Sequence, residues 1–555
     1  MQAANLQNET LHKWLYFFIG LAVLINFSGL FVPLMDPDAG VYASISRNML
    51  WRNDYINLWF HDTDWLDKPH FPFWITALSF KLFGTHDWAY KLPGILFSLL
   101  GAAYTYLFTK QHYNKTIALW AVFILLTAMH FMISNNDVRA EPFLTGLIIA
   151  SVYHFSNSLT KNLNWHLVIA CVFAACCVMT KGIFTLIPIG GAIAGELIIK
   201  QNWKQIFHWR WLIALVLVIF FIFPELYSLW YQFDSHPEKI VFEKTNVSGI
   251  RFFLWDSQFG RFMNTGPIKG KGDPTFFIHT LVWAFLPWSL LMYAALFTKI
   301  KNGVKKVQTV FNEWYTISGS LLTLFVFSFS KFQLPHYSNI IFPLLAILAA
   351  SFISYLIQTN NKAFKIIQTT VGIILIVCSL VLIILYRPQN FSFFNVLFFA
   401  FLILVFLFLP ALYKTDKPII PYLRSGLAAL IVALFLNLIL YPDLLKYQSG
   451  NQVAFFVNKN YPNTPIARLL IYTPAGEFYL DRPLIATTID SLNKRAYTGL
   501  LLLTEEEFKE LENSEARFEI IKGFEHFHIT RLQLKFINAT TRQQLLEKRY
   551  LVKVF

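Results

Sequence analysis

The sequence predicts an all-α polytopic membrane protein that ends in a small α/β domain. Of its 555 residues 56% are hydrophobic and only 14% are charged, against about a quarter charged in soluble domains. Apolar runs recur up to residue 441, many of them near the roughly twenty residues that a helical crossing needs. Beyond Tyr441-Pro442 the pattern changes to short apolar runs between charged stretches. The net charge of +14 does not point to nucleic acid. The basic residues are interleaved with the spans, which points to topology and anionic lipid. Cys171, Cys176, Cys177 and Cys378 all fall inside apolar runs, so neither a disulfide framework nor a metal cluster follows from them.

About thirteen spans follow from length and apolarity. They lie near 14–35, 88–109, 116–135, 139–157, 165–180, 182–199, 210–231, 275–298, 314–330, 335–357, 365–386, 392–413 and 420–441. The first is too long for a cleaved signal and reads as a retained anchor. It ends at Asp36-Pro37-Asp38-Ala39-Gly40-Val41-Tyr42. Asp36 suits a helix cap, Pro37 suits the first helical position, and Asp38 then lies in the first turn, where the helix dipole favours a carboxylate. Val41, Tyr42, Ile45 and Met49 recur at helical spacing, which predicts an amphipathic helix lying on the membrane surface. It opens a long outer loop, 36–87, with a second such segment at 70–83. Another long outer loop, 232–274, is rich in charge, aromatics and glycine. Loops of this length are usually functional or disordered, and the aromatics argue against disorder.

Lysine and arginine set the orientation. With a cytoplasmic N-terminus the inner loops hold Lys13, Lys110, Lys115, Lys161, Lys200, Lys305, Lys306, Lys414 and Lys417, while most of the acids lie outside. Residues 1–441 then form the transmembrane domain, and 442–555 form a soluble domain on the outer side. In the latter, Thr504-Glu505-Glu506-Glu507 reads as a capped helix start after the apolar run Gly499-Leu500-Leu501-Leu502-Leu503.

Four outer stretches could carry chemistry. Asp67-Lys68-Pro69-His70 holds a lysine in extended chain at the interface, placed to meet a lipid phosphate. Asn136-Asp137-Val138-Arg139-Ala140-Glu141-Pro142 puts ions at the start of an apolar helix, with Asp137 and Glu141 on one face and Arg139 off it. Trp255-Asp256-Ser257-Gln258-Phe259-Gly260-Arg261 offers a guanidinium suited to bidentate phosphate contact. Ser330-Lys331-Phe332-Gln333-Leu334-Pro335-His336-Tyr337 adds a lysine and a tyrosine. Taken singly, such residues fit interface anchors, and Arg139 fits a local pair at a helix end. Their recurrence on one side of the membrane favours function.

The first motif, Asp67-Lys68-Pro69 about thirty residues later, and Ser330-Lys331 with Pro335-His336-Tyr337 resemble the polyprenyl-phosphate-sugar-dependent membrane glycosyltransferases. These include the lipid A aminoarabinose transferase and the protein O-mannosyltransferases. The resemblance covers most of residues 10–440. It implies a GT-C type fold in a bacterial inner membrane with its active site on the periplasmic side. The implied donor is a sugar on a polyprenyl phosphate, and the implied acceptor is lipid A or another envelope glycolipid, with inversion. Asp38 matches the family's catalytic aspartate, and Glu141 falls where a second acid, commonly aspartate, is usual. Lys68, Arg261 and Tyr337 match positions that hold the donor phosphate; Lys331 is a further candidate for it. Asp67 stands where the family often has glutamate, a position linked to a divalent metal in the aminoarabinose branch. Ala39 and Gln258 depart from the pattern, where glutamate and histidine are common, which leaves metal binding and the acceptor open. A protein O-mannosyltransferase-like enzyme acting on Ser/Thr is the alternative within the family. A lipid or sugar-lipid transporter is the alternative outside it. Lys181-Gly182, between two apolar runs, suits a transporter best, but charges gathered at the outer span ends favour an enzyme.

Overall fold

The computed structural model describes residues 2–61, 63–159, 164–266, 269–304, 312–389, 392–412 and 418–555. Lys161, Lys305, Lys306, Lys414 and Lys417 lie outside the described residues. A chain in lipid must satisfy its backbone internally, so apolar runs become helices. Among the described residues six helices are long and apolar enough to cross a membrane: Glu9–Phe27, Asp87–His112, Trp203–Phe221, Pro335–Gln358, Lys362–Tyr386 and Ile420–Tyr447. A seventh candidate is the pair Lys115–Thr127 and Met129–Asn136, bent by 54°. Other apolar stretches form shorter helices, among them Trp165–Lys181, Ile183–Ile199 and Tyr315–Phe329.

Two expected spans are broken, and the breaks meet. The helices Phe276–Ala284 and Ser289–Val304 part around Leu286 and Pro287. Met129 N donates to Leu286 O at 2.8 Å across the gap, and Trp288 Nε1 donates to Thr127 Oγ1 at 2.9 Å. Each break thus satisfies groups freed by the other. The first helix stops at Phe27 rather than 35. Beyond it, buried Lys91 gathers the carbonyls of Gly29 at 3.0 Å and Val32 at 2.6 Å, so irregular chain is satisfied without water.

The helix Asp38–Arg52 forms as expected, but its polar side is not open to water: every residue from Ala39 to Met49 is buried. One flank packs on the helix Phe71–Phe83 and another on the short helix Pro474–Tyr479. A Cβ on Gly40 would come within 2.3 Å of Ala475 N, so only glycine allows that approach. Arg47 Nη1 donates to the carbonyls of Glu477 (2.8 Å), Phe478 (2.8 Å) and Leu480 (3.1 Å). The polar face that suggested water finds backbone carbonyls instead. Asp36 and Pro37 also differ from expectation. Pro37 is the N-cap and no side chain caps the helix. Asp36 Oδ1 accepts from Ala475 N at 2.7 Å, tying this loop to the C-terminal region.

That region carries a five-stranded sheet. In chain order the strands of the molecule are β1 (Trp59–Phe60), β2 (Thr63–Asp64), β3 (Ile466–Arg468), β4 (Leu484–Ala486), β5 (Gly499–Thr504), β6 (Phe518–His526) and β7 (Glu547–Val554). The sheet order is β4-β3-β5-β7-β6. β3 runs parallel to β4 and β5, and β7 runs antiparallel to β5 and β6. Leu500 to Leu503 are buried on both faces, as a central strand requires. Thr504 and Glu507 make the reciprocal capping box that the sequence predicts.

Candidate active site

One cavity of about 210 Å³ is lined by Asp38, Asp67, Lys68, Glu141, Arg261 and Tyr337. Its walls come from separate parts of the chain. The helix Asp38–Arg52 supplies Asp38 from its first turn. The bend before the helix Phe71–Phe83 supplies Asp67 and Lys68. Glu141 sits in the first turn of the helix Ala140–Ser158, Arg261 on the short helix Phe259–Met263, and Tyr337 in the turn that starts at Pro335.

Lys68 Nζ donates to Asp67 Oδ2 at 2.6 Å, and Arg261 Nη2 donates to Asp67 Oδ1. Asp67 therefore holds two cations side by side. Burial opposes its charge, but Lys68 and Arg261 outweigh that and hold its carboxyl below the usual carboxylate range. Burial pushes the Lys68 ammonium below the usual lysine range, although Asp67 opposes it. Asp38 Oδ2 accepts from Arg139 Nη1 at 2.8 Å and keeps its side chain 44% exposed, so it remains reachable.

The structure brings in residues that motif reading passed over. Arg139 does pair with Asp137 at 2.8 Å, but it also spans to Asp38. Lys181 donates to buried Glu141, lies 3.7 Å from the centre of the Tyr337 ring, and lines the cavity. The Gly182 that follows has φ +91°, and its Cα faces the Gln258 amide so closely that a Cβ would lie 2.2 Å away. That packing holds the two segments together. His336 stands 3.9 Å from Glu141, and Tyr472 of the C-terminal region closes another wall. Polar residues at span ends were a signal for Lys181; Tyr472 had none. Lys331 is the exception among the expected residues. It is exposed and does not line this cavity; its backbone N–H donates to Phe262 O at 3.1 Å instead.

The donor set does not fit a divalent metal at Asp67. Both of its oxygens accept from cations. Among the described residues no group of three or more His, Cys, Asp or Glu side chains gathers to hold an ion.

A second, mainly apolar cavity adjoins the first. Leu144, Phe184, Phe262, Phe327 and Ile340 line it, and it shares Lys181, Arg261, Phe332 and Tyr337 with the polar cavity. Cations and a phenol thus stand between a polar chamber and an apolar groove. That arrangement suits an anion carried on a lipid.

Residues 67–228 match the family model described as dolichyl-phosphate-mannose-protein mannosyltransferase. The chain is 25% identical over 385 residues to the undecaprenyl phosphate-alpha-4-amino-4-deoxy-L-arabinose arabinosyl transferase of Enterobacter sp. (strain 638), covering 66% of this chain and 65% of that one. It is 25% identical over 342 residues to the same-named enzyme of Edwardsiella ictaluri (strain 93-146), covering 60% and 58%. The chain thus spans about three fifths of the length of these curated relatives. In fold it is similar to ArnT from Cupriavidus metallidurans bound to undecaprenyl phosphate, with TM-score 0.74, 16% identity and 98% of both chains covered. Family match, relatives and fold point the same way: the chain is similar to the polyprenyl-phosphate-sugar-dependent membrane glycosyltransferases, over residues 67–228 by the family model and along nearly its whole length in fold.

Proposed function

We propose that the protein moves a sugar from a polyprenyl-phosphate donor to an acceptor on the outer side of a bacterial inner membrane, with inversion. The carrying observation is the shared wall of the two cavities: Lys181, Arg261 and Tyr337 face both the polar chamber and the apolar groove, with Lys68 beside them. The polyprenyl tail takes the groove and the sugar takes the chamber. The acceptor oxygen attacks the anomeric carbon as its bond to the phosphate oxygen breaks. The departing phosphate goes from diester to monoester and gains charge. Lys68, Arg261 and Lys181 stabilise that charge, and Tyr337 donates a hydrogen bond. With a hydroxyl acceptor Asp38 takes the proton as general base. With a phosphate acceptor no proton moves, and Asp38 orients the acceptor. Asp67 and Glu141 hold the cations in place rather than touching the sugar.

Lipid A or another envelope glycolipid is the acceptor we favour; the names of the relatives support the donor side, a sugar on undecaprenyl phosphate. The N-terminus lies in the cytoplasm and thirteen crossings complete the bundle, the shorter helices included. Residues 442–555 then form a periplasmic domain. The test is transfer and donor binding by purified protein. Asp38→Asn should abolish transfer and keep undecaprenyl phosphate binding; normal turnover in that variant rejects the reading. Mass spectrometry of lipid A and periplasmic glycans from a deletion strain should show which sugar is missing.

A further inference from the structure

The C-terminal region contains a larger cleft, of about 720 Å³, that the mechanism above does not use. Its walls include Glu510, Arg531, Glu547 and Arg549, with Tyr472 and Leu470 at one end. Tyr472 also lines the catalytic cavity, so the two spaces share a wall. Its side chain is 56% exposed and sits edge-on to Phe60 at 6.2 Å and His61 at 5.9 Å.

The loop that carries Tyr472 is fixed by the capping box. Glu507 Oε2 accepts from Thr504 N at 2.7 Å, while Oε1 accepts from Leu470 N at 2.6 Å. The other rim of the cleft lies close in the chain to contacts with the end of an apolar helix. Leu532 and Leu534, 44% and 80% exposed, flank the cleft residue Gln533. A few residues on, Ala539 N donates to Leu385 O at 3.0 Å and Arg542 Nη2 to Tyr386 O at 2.6 Å. Those carbonyls end the candidate span Lys362–Tyr386. The cleft thus has an apolar edge close in the chain to those contacts, a wall of carboxylates and guanidinium groups, and an aromatic ring at the mouth of the catalytic cavity.

We infer that this cleft holds the saccharide headgroup of a lipid-anchored acceptor, with Tyr472 positioning it beside Asp38. Hydroxyl-rich sugars are bound by charged side chains in bidentate fashion and by aromatic faces. The apolar rim suits acyl chains entering from the bilayer, which favours a glycolipid over a peptide. The inference rests on the donor and acceptor assignments above and deepens them by placing the acceptor's headgroup in a cleft of the C-terminal region.

Photo-crosslinking from the full-length protein in its native membrane tests it. The probe is p-benzoylphenylalanine at Leu470, with the same group at lipid-facing Phe325, 63% exposed, as the reference. The expected adduct at position 470 carries both saccharide and acyl chains by mass spectrometry. Tyr472→Ala should lower its yield about tenfold, the upper scale of one lost aromatic contact, while Tyr472→Phe retains most of it. A peptide adduct, a phospholipid adduct equal to that at 325, or unchanged yield in Tyr472→Ala overturns the inference. Undecaprenyl phosphate binding is measured on the same membranes. If it persists while the glycolipid adduct is absent, the acceptor assignment has failed; if it is absent as well, the donor reading has failed.

Discussion

Two sets of opposite charges, one buried and one facing a cavity, sit at different places in the bundle. In the first, Lys299 donates to Glu313 at 3.0 Å, with side chains only 1% and 0% exposed. Glu313 also accepts from Tyr113 Oη at 2.7 Å, Thr316 N at 2.8 Å and Thr316 Oγ1 at 2.7 Å. Its hydrogen-bonding capacity is filled from inside the protein. In the second, Asp67, Lys68 and Arg261 keep 19%, 17% and 15% exposure, and Asp38 keeps 44%. There the ions face a cavity and retain donors that a ligand can use. The same residue types make a closed lock in one place and an open receptor in the other. Burial of an ion pair is therefore no mark of function by itself; spare donors facing an accessible space are.

Substitutions in the two sets should part the two roles. The largest effect is expected for Asp38→Asn. Transfer should fall by about 10²–10⁴-fold, the scale of a lost general base, while thermal stability stays within about 0.5 kcal/mol. Glu313→Gln should do the opposite. It leaves a lysine buried without its counter-ion and should destabilise the fold by about 3–5 kcal/mol, with the folded fraction binding undecaprenyl phosphate normally. Replacing the pair together, Lys299→Met with Glu313→Leu, should recover most of that loss. If Glu313→Gln abolished transfer without loss of stability, the distinction between the two sets would be wrong.

Lys68→Ala should weaken undecaprenyl phosphate binding about 10–100-fold, the worth of one charge-assisted hydrogen bond. In the wild type the same binding should decline as pH rises, beginning below the usual lysine range, because burial makes Lys68 release its proton early. A smaller pH effect is expected where the first loop meets the C-terminal region. Burial pushes Asp36 up from 3.8 to about 7. A carboxyl whose folded value is raised holds its proton more tightly when folded. Its contribution is greatest below about pH 4 and is lost as pH rises towards 7. Hydrogen-exchange protection around Ala475, after division by the intrinsic rate at each pH, should therefore be greater at pH 5 than at pH 8, by on the order of 1–3 kcal/mol, and Asp36→Asn should remove the difference. The smallest effect belongs to Lys331→Ala. With its side chain in solvent, donor affinity should change less than about twofold; a larger loss would bring Lys331 back into the phosphate site.

Local pattern made much of this legible. Each of the expected apolar stretches is helical for most of its length, because a backbone in lipid has few other ways to satisfy its own hydrogen bonds. The capping box at Thr504 needs only residues three apart. Asp38, Lys68, Glu141, Arg261 and Tyr337 stood out because charge and polar aromatics at the ends of apolar runs are costly and conspicuous. Lys331 stands out for the same reason yet does not line the cavity, since position along the chain does not say which way a side chain points. Arg139 was judged by its helical neighbours, but its second partner, Asp38, lies a hundred residues away.

The sequence by itself determined where the chain is helical, where it turns polar and at which end the long apolar runs give way to shorter ones, since these follow from hydropathy and hydrogen-bonding rules acting over a few residues. Tertiary structure alone decided that the helix after the first span is covered by protein on its polar side as well. A polar face must be satisfied, but whether by water or by the carbonyls of Glu477, Phe478 and Leu480 depends on a segment more than four hundred residues away. It decided likewise that Lys181 and Tyr472 join the cavity, because convergence in space is set by packing, which leaves no local trace in the chain.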